Sequence, residues 1–247
     1  MTEHRRIFVN PEDIIENSVA LSSKNRKYIY DVLRLRPNDR LHASDGSRSF
    51  VIKLMPAKGS EVWAVIEQQI EIPDTKLIDI TVAFACVRPD PVEQIIRHCT
   101  ELGTETFAPI LFERCSRRPP EKKQRWNNII TTACLQSKRS NRPSIRDPKP
   151  LGDFLDSLGG TGTKIALTAH TGSITLLQAL EETAPQVLTI LVGPEGGLTA
   201  NEEKMIEHSQ FVKACICPSV LRTETAAIAG VSAVICWAME KKRQNSD

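Results

Sequence analysis

Beyond Leu77 the sequence alternates short, β-branched apolar runs with amphipathic helical segments, and few architectures accept that alternation. Residues 78–86 read as a buried strand. Asp90 then offers a helix N-cap with Pro91 in the first turn, Val92, Ile95, Ile96 and Cys99 recur at helical spacing, and Gly103 ends the segment. Residues 107–112 form the next strand. Pro119-Pro120 opens a second helix whose buried stripe is Trp126, Ile129, Ile130, Ala133 and Cys134. Strands follow at 164–169 and 188–192, a capping box at Thr199-Ala200-Asn201-Glu202, another strand at 211–217, and a last helix from Thr225. Strands joined through helices run mainly parallel, in a sheet covered on both faces. The fold class is α/β.

The first seventy residues follow a different pattern. Residues 5–9 read as a strand, and 22–35 as a helix with Tyr28, Val32 and Leu35 on one face, closed by Pro37. Two β-rich runs, 40–44 and 48–55, flank the hairpin signal Asp45-Gly46, and 61–66 supplies a further strand. Several short strands around one helix predict a small β-barrel-like domain over residues 1–72. The segment Ile72-Pro73-Asp74-Thr75 serves as the link to a second domain over 73–247.

The formal net charge is only +2, so an anionic partner has to be met by a local patch. Seven cysteines without a CxxC pair argue against a zinc site or a disulfide framework, and no metal is expected. The polar, basic N-terminus lacks an apolar signal region, and no apolar run reaches the length of a membrane span. The expected location is the cytoplasm.

Three segments are candidates for chemistry. In 191–198 a strand runs into Gly193-Pro194-Glu195-Gly196-Gly197, a loop that lets a ligand approach the backbone at a strand's carboxyl end. It is neither a dinucleotide fingerprint nor a P-loop. Taken alone, a glycine-rich loop of this kind reads first as a tight strand-to-helix turn. In 217–227 a second strand ends in Arg222-Thr223-Glu224-Thr225 before an apolar helix. Thr223 or Thr225 can cap that helix, whereas Arg222 beside a helix N-terminus calls for a carboxylate, Glu195 or Glu224, or a bound anion. Residues 113–146 hold ten basic residues against two acidic ones, a local charge of +8. A one-signed excess on a nearly neutral protein points to phosphate-backbone contact. Arg5, Arg6 and Arg34 belong to a second, weaker basic patch. The five histidines form no pattern; His170 follows a strand end.

Together these segments resemble one family, the small-subunit ribosomal RNA uridine-N3 methyltransferases of the SPOUT, or trefoil-knot, superfamily. The matching residues are Arg5-Arg6-Ile7-Phe8-Val9, Val32-Leu33-Arg34-Leu35, Asn38-Asp39, Asp45-Gly46, Thr100-Glu101-Leu102-Gly103 and Glu113-Arg114-Cys115. The most specific are Leu191-Val192-Gly193-Pro194-Glu195-Gly196-Gly197 and Val220-Leu221-Arg222-Thr223-Glu224-Thr225-Ala226. The sequence departs from the family pattern at His98, Leu135 and Cys217-Pro218.

The resemblance implies a PUA-like N-terminal barrel, a knotted C-terminal α/β domain and a homodimer. It also implies S-adenosylmethionine held by Leu167, Thr168, Gly193, Glu195, Gly196, Gly197, Ile216, Leu221 and Thr225. For methylation of uracil N3, Arg222 is expected to stabilise the developing anion and Glu224 or Glu195 to accept the proton or orient Arg222. Ribosomal RNA is expected to meet Arg5, Arg6, Arg34, Arg114, Arg117, Arg118, Lys138, Arg139 and Arg142. Two readings stay open beside this one: a knotted methyltransferase with another RNA target, and a non-catalytic RNA-binding or ribosome-assembly protein of the same fold.

Overall fold

The computed structural model describes residues 5–57, 62–71, 76–115, 123–160, 162–169 and 172–244. The expected link at 72–75, the Pro119-Pro120 helix start, and Arg117, Arg118 and His170 lie outside the described residues. The chain divides into two compact units. One comprises Met1–Asp74 with Cys134–Arg142, the other Thr75–Ala133 with Pro143–Asp247.

The first unit contains β1 (Arg6–Phe8), β2 (Ile14–Ile15), β3 (Ser18–Ala20), α1 (Ser23–Lys27), β4 (Arg40–Ser44), β5 (Ser49–Leu54) and β6 (Trp63–Ile70). They make one six-stranded sheet in the order β1-β4-β5-β6-β3-β2. β1 runs parallel to β4 and the other pairings are antiparallel. The hairpin at Asp45-Gly46 forms where the sequence places it, with Gly46 at φ 97°. Asp45 Oδ1 accepts the Ser47 and Arg48 amides. Alternate residues of β4 and β5, Leu41, Ala43, Phe50, Ile52 and Leu54, join Ile7, Val19 and Ile29 in a single apolar core.

The helical segment expected over 22–35 ends at Val32, three residues early, and is not regular throughout. Ser22 caps α1 by accepting the Asn25 amide, but after Lys27 the backbone widens into a π-helical turn over Tyr28–Val32. The extra residue per turn rotates Val32 off the Tyr28–Leu35 face. Val32 is 63% exposed while Leu35 is buried.

The second unit holds β7 (Asp79–Ala85), α2 (Pro89–Leu102), β8 (Thr106–Leu111), α3 (Lys123–Ser137), β9 (Ser144–Ile145), β10 (Lys149–Pro150), α4 (Leu151–Asp156), β11 (Thr163–Leu167), β12 (Ile174–Thr175), α5 (Leu176–Thr183), β13 (Val187–Val192), α6 (Ala200–His208), β14 (Val212–Cys215) and α7 (Thr223–Gln244), the end of α3 grouping with the first unit. Its sheet runs β10-β8-β7-β13-β11-β14-β12, with β9 beside β8, and every pairing described is parallel. The central strands are buried on both faces, which is why β7 reads as a continuous apolar run and not as an alternation.

Two helix starts shift from the expected residue. α2 begins at Pro89, flanked by Arg88 without a side-chain cap, so Asp90 sits inside the first turn. The fixed φ of Pro89 suits the first helical position better than that of a residue further in. α7 begins at Thr223, two residues early. Gly103 ends α2 in the left-handed conformation, φ 110°, as its position predicts.

The described residues include all seven cysteines, and no disulfide forms among them. Burial pushes the Cys99 thiol up to about 12, and that of Cys86 up to about 11 with a further contribution from Cys115. Both behave as small apolar side chains. Among the described residues no helix is long and apolar enough to cross a membrane, and no group of three or more candidate metal ligands occurs.

Candidate functional site

Adjacent strands β13, β11 and β14 point the same way and end at Val192, Leu167 and Cys215. The backbone that leaves them lines a cavity of about 490 Å³. Leu167 and Thr168 come from the first loop, Gly193, Pro194, Glu195 and Gly197 from the second, and Ile216, Cys217 and Leu221 from the third. This is the carboxyl edge of a parallel sheet, where the strands stop and backbone groups become available to a ligand. The volume falls within the range of small-molecule sites, roughly 300–1,000 Å³.

Hydrogen bonds tie the loops together. Thr223 is buried, and its hydroxyl donates to the Gly193 carbonyl at 3.0 Å. That bond explains why α7 starts early. Thr223 does not cap the helix; the Arg222 carbonyl accepts the Ala226 amide, which leaves Arg222 at the capping position. We expect Thr223→Val to lower stability by about 0.5–1.5 kcal/mol in denaturant titration, since the isosteric change removes only the donor. An unchanged midpoint would show that the bond between the two loops contributes nothing.

The second loop is shaped by a turn in which the Gly197 amide donates to the Pro194 carbonyl at 2.9 Å. Gly197 has φ 71°, a conformation that favours glycine. The capping box read from the sequence is formed: Thr199 accepts the Glu202 amide and Glu202 Oε2 accepts the Thr199 amide at 2.8 Å. Glu202 Oε1 also accepts the Glu113 amide at 2.7 Å, and the Arg114 guanidinium donates to the Gly196 carbonyl at 2.8 Å. The first links the segment after β8 to the start of α6, and the second links it to the glycine-rich loop.

The sequence matches the RNA methyltransferase domain family over residues 73–235, more than half of the chain. The chain belongs to the RNA methyltransferase family. Among its relatives, the ribosomal RNA small subunit methyltransferase E of Synechocystis sp. is 30% identical over 239 residues, covering 93% of this chain and 78% of that protein. The protein of the same name from Bacillus subtilis is 26% identical over 230 residues, covering 87% of this chain and 88% of its own length. A Legionella pneumophila protein solved in complex with the bound cofactor SAM superposes with a TM-score of 0.82 at 26% identity, over 94% of this chain and 96% of that one. Ribosomal RNA small subunit methyltransferase E from Neisseria gonorrhoeae has the same fold, with a TM-score of 0.82 at 24% identity over 93% and 96% of the two chains.

In this RNA methyltransferase, seven of the nine residues expected at the cofactor lie on the cavity wall: Leu167, Thr168, Gly193, Glu195, Gly197, Ile216 and Leu221. Gly196 and Thr225 stand beside lining residues without lining the cavity themselves. Of the three residues expected to be catalytic, Glu195 is exposed and lines the cavity, and Arg222 is exposed next to Leu221. Glu224 is buried in the first turn of α7, and its Oε2 has no hydrogen-bond partner among the described residues. Sequence reasoning missed Glu203 and Lys213, which line the cavity from α6 and β14. A Glu in a helix and a Lys in a strand carry no signal of their own. It also missed Thr223 as the link between loops and Gly230, which packs beneath Leu167 and Ile216.

The basic residues separate into groups. Arg5, Arg34, Lys138 and Arg142 are exposed. In the first unit Arg6 donates to the Lys138 carbonyl at 2.6 Å, and the Arg142 guanidinium lies 5.5 Å from the centre of the Phe8 ring. Arg139 and Arg6 border the same small recess beside β1. The two basic patches read separately in the sequence thus include residues that meet in space. The local excess over 113–146 is smaller than its count, because Lys123 pairs with Asp147 at 2.7 Å and Arg125 with Glu93 at 2.6 Å. His98 stands 3.6 Å from Glu101.

Proposed function

We propose that this chain is a cytoplasmic, homodimeric enzyme that transfers a methyl group from S-adenosylmethionine to N3 of a uridine in small-subunit ribosomal RNA. The observation that carries the proposal is the cavity at the ends of β11, β13 and β14, in a chain of the RNA methyltransferase family. Relatives that match over most of its length are named for the ribosomal small subunit, and a similar fold has been solved with SAM bound. On this reading residues 1–72 form a PUA-like RNA-binding barrel, and 73–247 a trefoil-knotted methyltransferase domain.

The residues present fit the cofactor. Leu167, Val192, Ile216 and Leu221 offer apolar walls for an adenine ring, and Gly193 and Gly197 keep side chains out of the cavity. Backbone amides and carbonyls of the three loops supply polar contacts. Bound there, S-adenosylmethionine supplies a methyl group made electrophilic by its sulfonium.

The chain's own residues then have to present a nucleophile. Uracil N3 carries a proton, and the neutral base reacts poorly. Arg222, an exposed cation at the end of the third loop, stabilises the negative charge that develops as the proton leaves. On this reading Glu195, which lines the cavity, accepts that proton. Glu224 keeps one carboxylate oxygen unpartnered in a buried position, which suits a group that receives a donor once substrate is in place. Holding the base in line with the methyl group provides much of the acceleration. The target base must be unstacked first, at a cost of a few kcal/mol. Arg5, Arg6, Arg34, Lys138, Arg139 and Arg142, together with Arg117 and Arg118, offset that cost through contacts with the RNA backbone.

Calorimetric titration with S-adenosylmethionine, with NAD as control, tests the cofactor half of the proposal. We expect saturable binding of the first alone. Incubation with small ribosomal subunits and with a short single-stranded oligonucleotide tests the other half, with the modified position read by reverse-transcription arrest. We expect N3-methyluridine in the former and little product in the latter. Absence of cofactor binding, with retained RNA binding, would favour the non-catalytic reading.

A further inference from the structure

Arg114 lies in the basic stretch that the proposed function assigns to RNA, yet its guanidinium is used inside the protein. Nη1 donates to the carbonyl of Gly196 at 2.8 Å and stands 3.7 Å from where a Cβ on Gly197 would be. The Arg114 Cβ and Cδ pack along the loop, 3.5 and 3.7 Å from the corresponding point on Gly196. One residue earlier, the Glu113 amide donates to Glu202, a 3% exposed carboxylate that also accepts the Thr199 amide at the start of α6. The first anchor falls within the glycine-rich loop, and the second holds the start of the helix that follows it. The loop's own internal hold is a single turn, closed by the Gly197 amide on the Pro194 carbonyl. A loop with three glycines has much conformational freedom to lose, and each external anchor removes part of that loss before a ligand arrives.

We infer that Arg114 is a positioning residue for the cofactor loop: by fixing the Gly196 carbonyl it holds Gly193–Gly197 in the form that lines the cavity. The inference rests on the proposed binding of S-adenosylmethionine there. It gives Arg114 a role apart from its neighbours in the basic stretch. A charge-assisted bond to a carbonyl is directional, so a cation that merely attracts phosphate does not replace it. Loss of the anchor weakens cofactor binding without touching any atom of the cofactor. The chemical step, once the cofactor is bound, proceeds at a similar rate.

The test compares the unaltered protein with Arg114→Ala and Arg114→Lys. S-adenosylmethionine affinity is measured by calorimetry, kcat and both KM values with small ribosomal subunits, and unfolding by thermal melting. The expected result for Arg114→Ala is a Kd and a KM for S-adenosylmethionine raised about tenfold, equivalent to about 1.4 kcal/mol. Saturating kcat, RNA KM and melting temperature stay near those of the unaltered protein. Lysine, which can still donate to the carbonyl but without the planar fork, is expected to recover part of the affinity. Unchanged cofactor affinity in Arg114→Ala overturns the inference, and a raised RNA KM alongside it makes Arg114 an RNA contact instead. A lowered melting temperature with equal losses for cofactor and RNA overturns it too, since the role is then general support. If the unaltered protein binds no S-adenosylmethionine, the functional reading fails first and the inference falls with it.

Discussion

Replacing Arg222 with alanine is expected to slow single-turnover methylation by about a hundred- to a thousandfold, the usual cost of removing one group that stabilises charge developing in the transition state. Arg222 occupies the capping position of α7, where its carbonyl accepts the Ala226 amide. The backbone contact survives substitution, so the helix should keep its start. The side chain is exposed and does not line the cavity, so the affinity for S-adenosylmethionine should change little. The expected pattern is therefore a large loss in the chemical step with cofactor binding intact. A near-normal single-turnover rate at saturating cofactor would remove Arg222 from the mechanism. Equal loss of rate and cofactor affinity would assign it to binding.

The second large effect is expected at Gly230, in the middle of α7. A Cβ there would stand 2.8 Å from Leu167 Cδ1 and 3.6 Å from Ile216 Cδ1. Both side chains belong to residues that line the cavity. Alanine can be met by a small rotation of Leu167, the flexible end of a side chain. Leucine cannot, and its added volume must push α7 away from the strand ends or drive Leu167 into the cavity. Overpacking of this kind typically costs about 1–3 kcal/mol. Gly230→Leu should therefore lower the melting temperature and abolish measurable S-adenosylmethionine binding, whereas Gly230→Ala should retain most of both. Normal binding by Gly230→Leu would show that the packing of α7 against Leu167 and Ile216 is irrelevant to the cavity.

The alternation of strands and helices was legible because both faces of the parallel sheet are buried. Burial on both sides turns β7, β8 and β13 into nearly continuous apolar runs. The loops were legible through glycine and threonine at strand ends. What the residues do for one another was not. Thr223 has the composition of a cap, and only the placing of β13 and β14 on either side of β11 brings its hydroxyl to the Gly193 carbonyl. Gly230 reads as an ordinary weak point in a helix, because the Leu167 side chain that fills its space lies sixty-odd positions earlier. Arg114 counts as one more positive charge until its partner, a backbone carbonyl far along the sequence, is known. The excess charge of 113–146 was overcounted for the same reason, since Glu93 and Asp147 fall outside that window. The π-helical turn over Tyr28–Val32 left no trace, as periodicity assumes a constant residue count per turn.

The first unit also bears on how a protein like this can be recombined. Its sheet comes from the start of the chain, but Cys134–Arg142, the end of α3 and the residues after it, packs with that sheet from far downstream. The Lys138 carbonyl satisfies Arg6, the Ser140 carbonyl lies 2.8 Å from the Ser44 hydroxyl, and Arg142 covers the ring of Phe8. A crossover placed at the link near residue 73 would deliver the sheet without these partners. It would leave Arg6, Ser44 and Phe8 facing whatever turn the acceptor chain happens to carry. The unit that packs as one body is the sheet together with that nine-residue segment, so keeping these partners in an exchange requires two separated stretches to travel together.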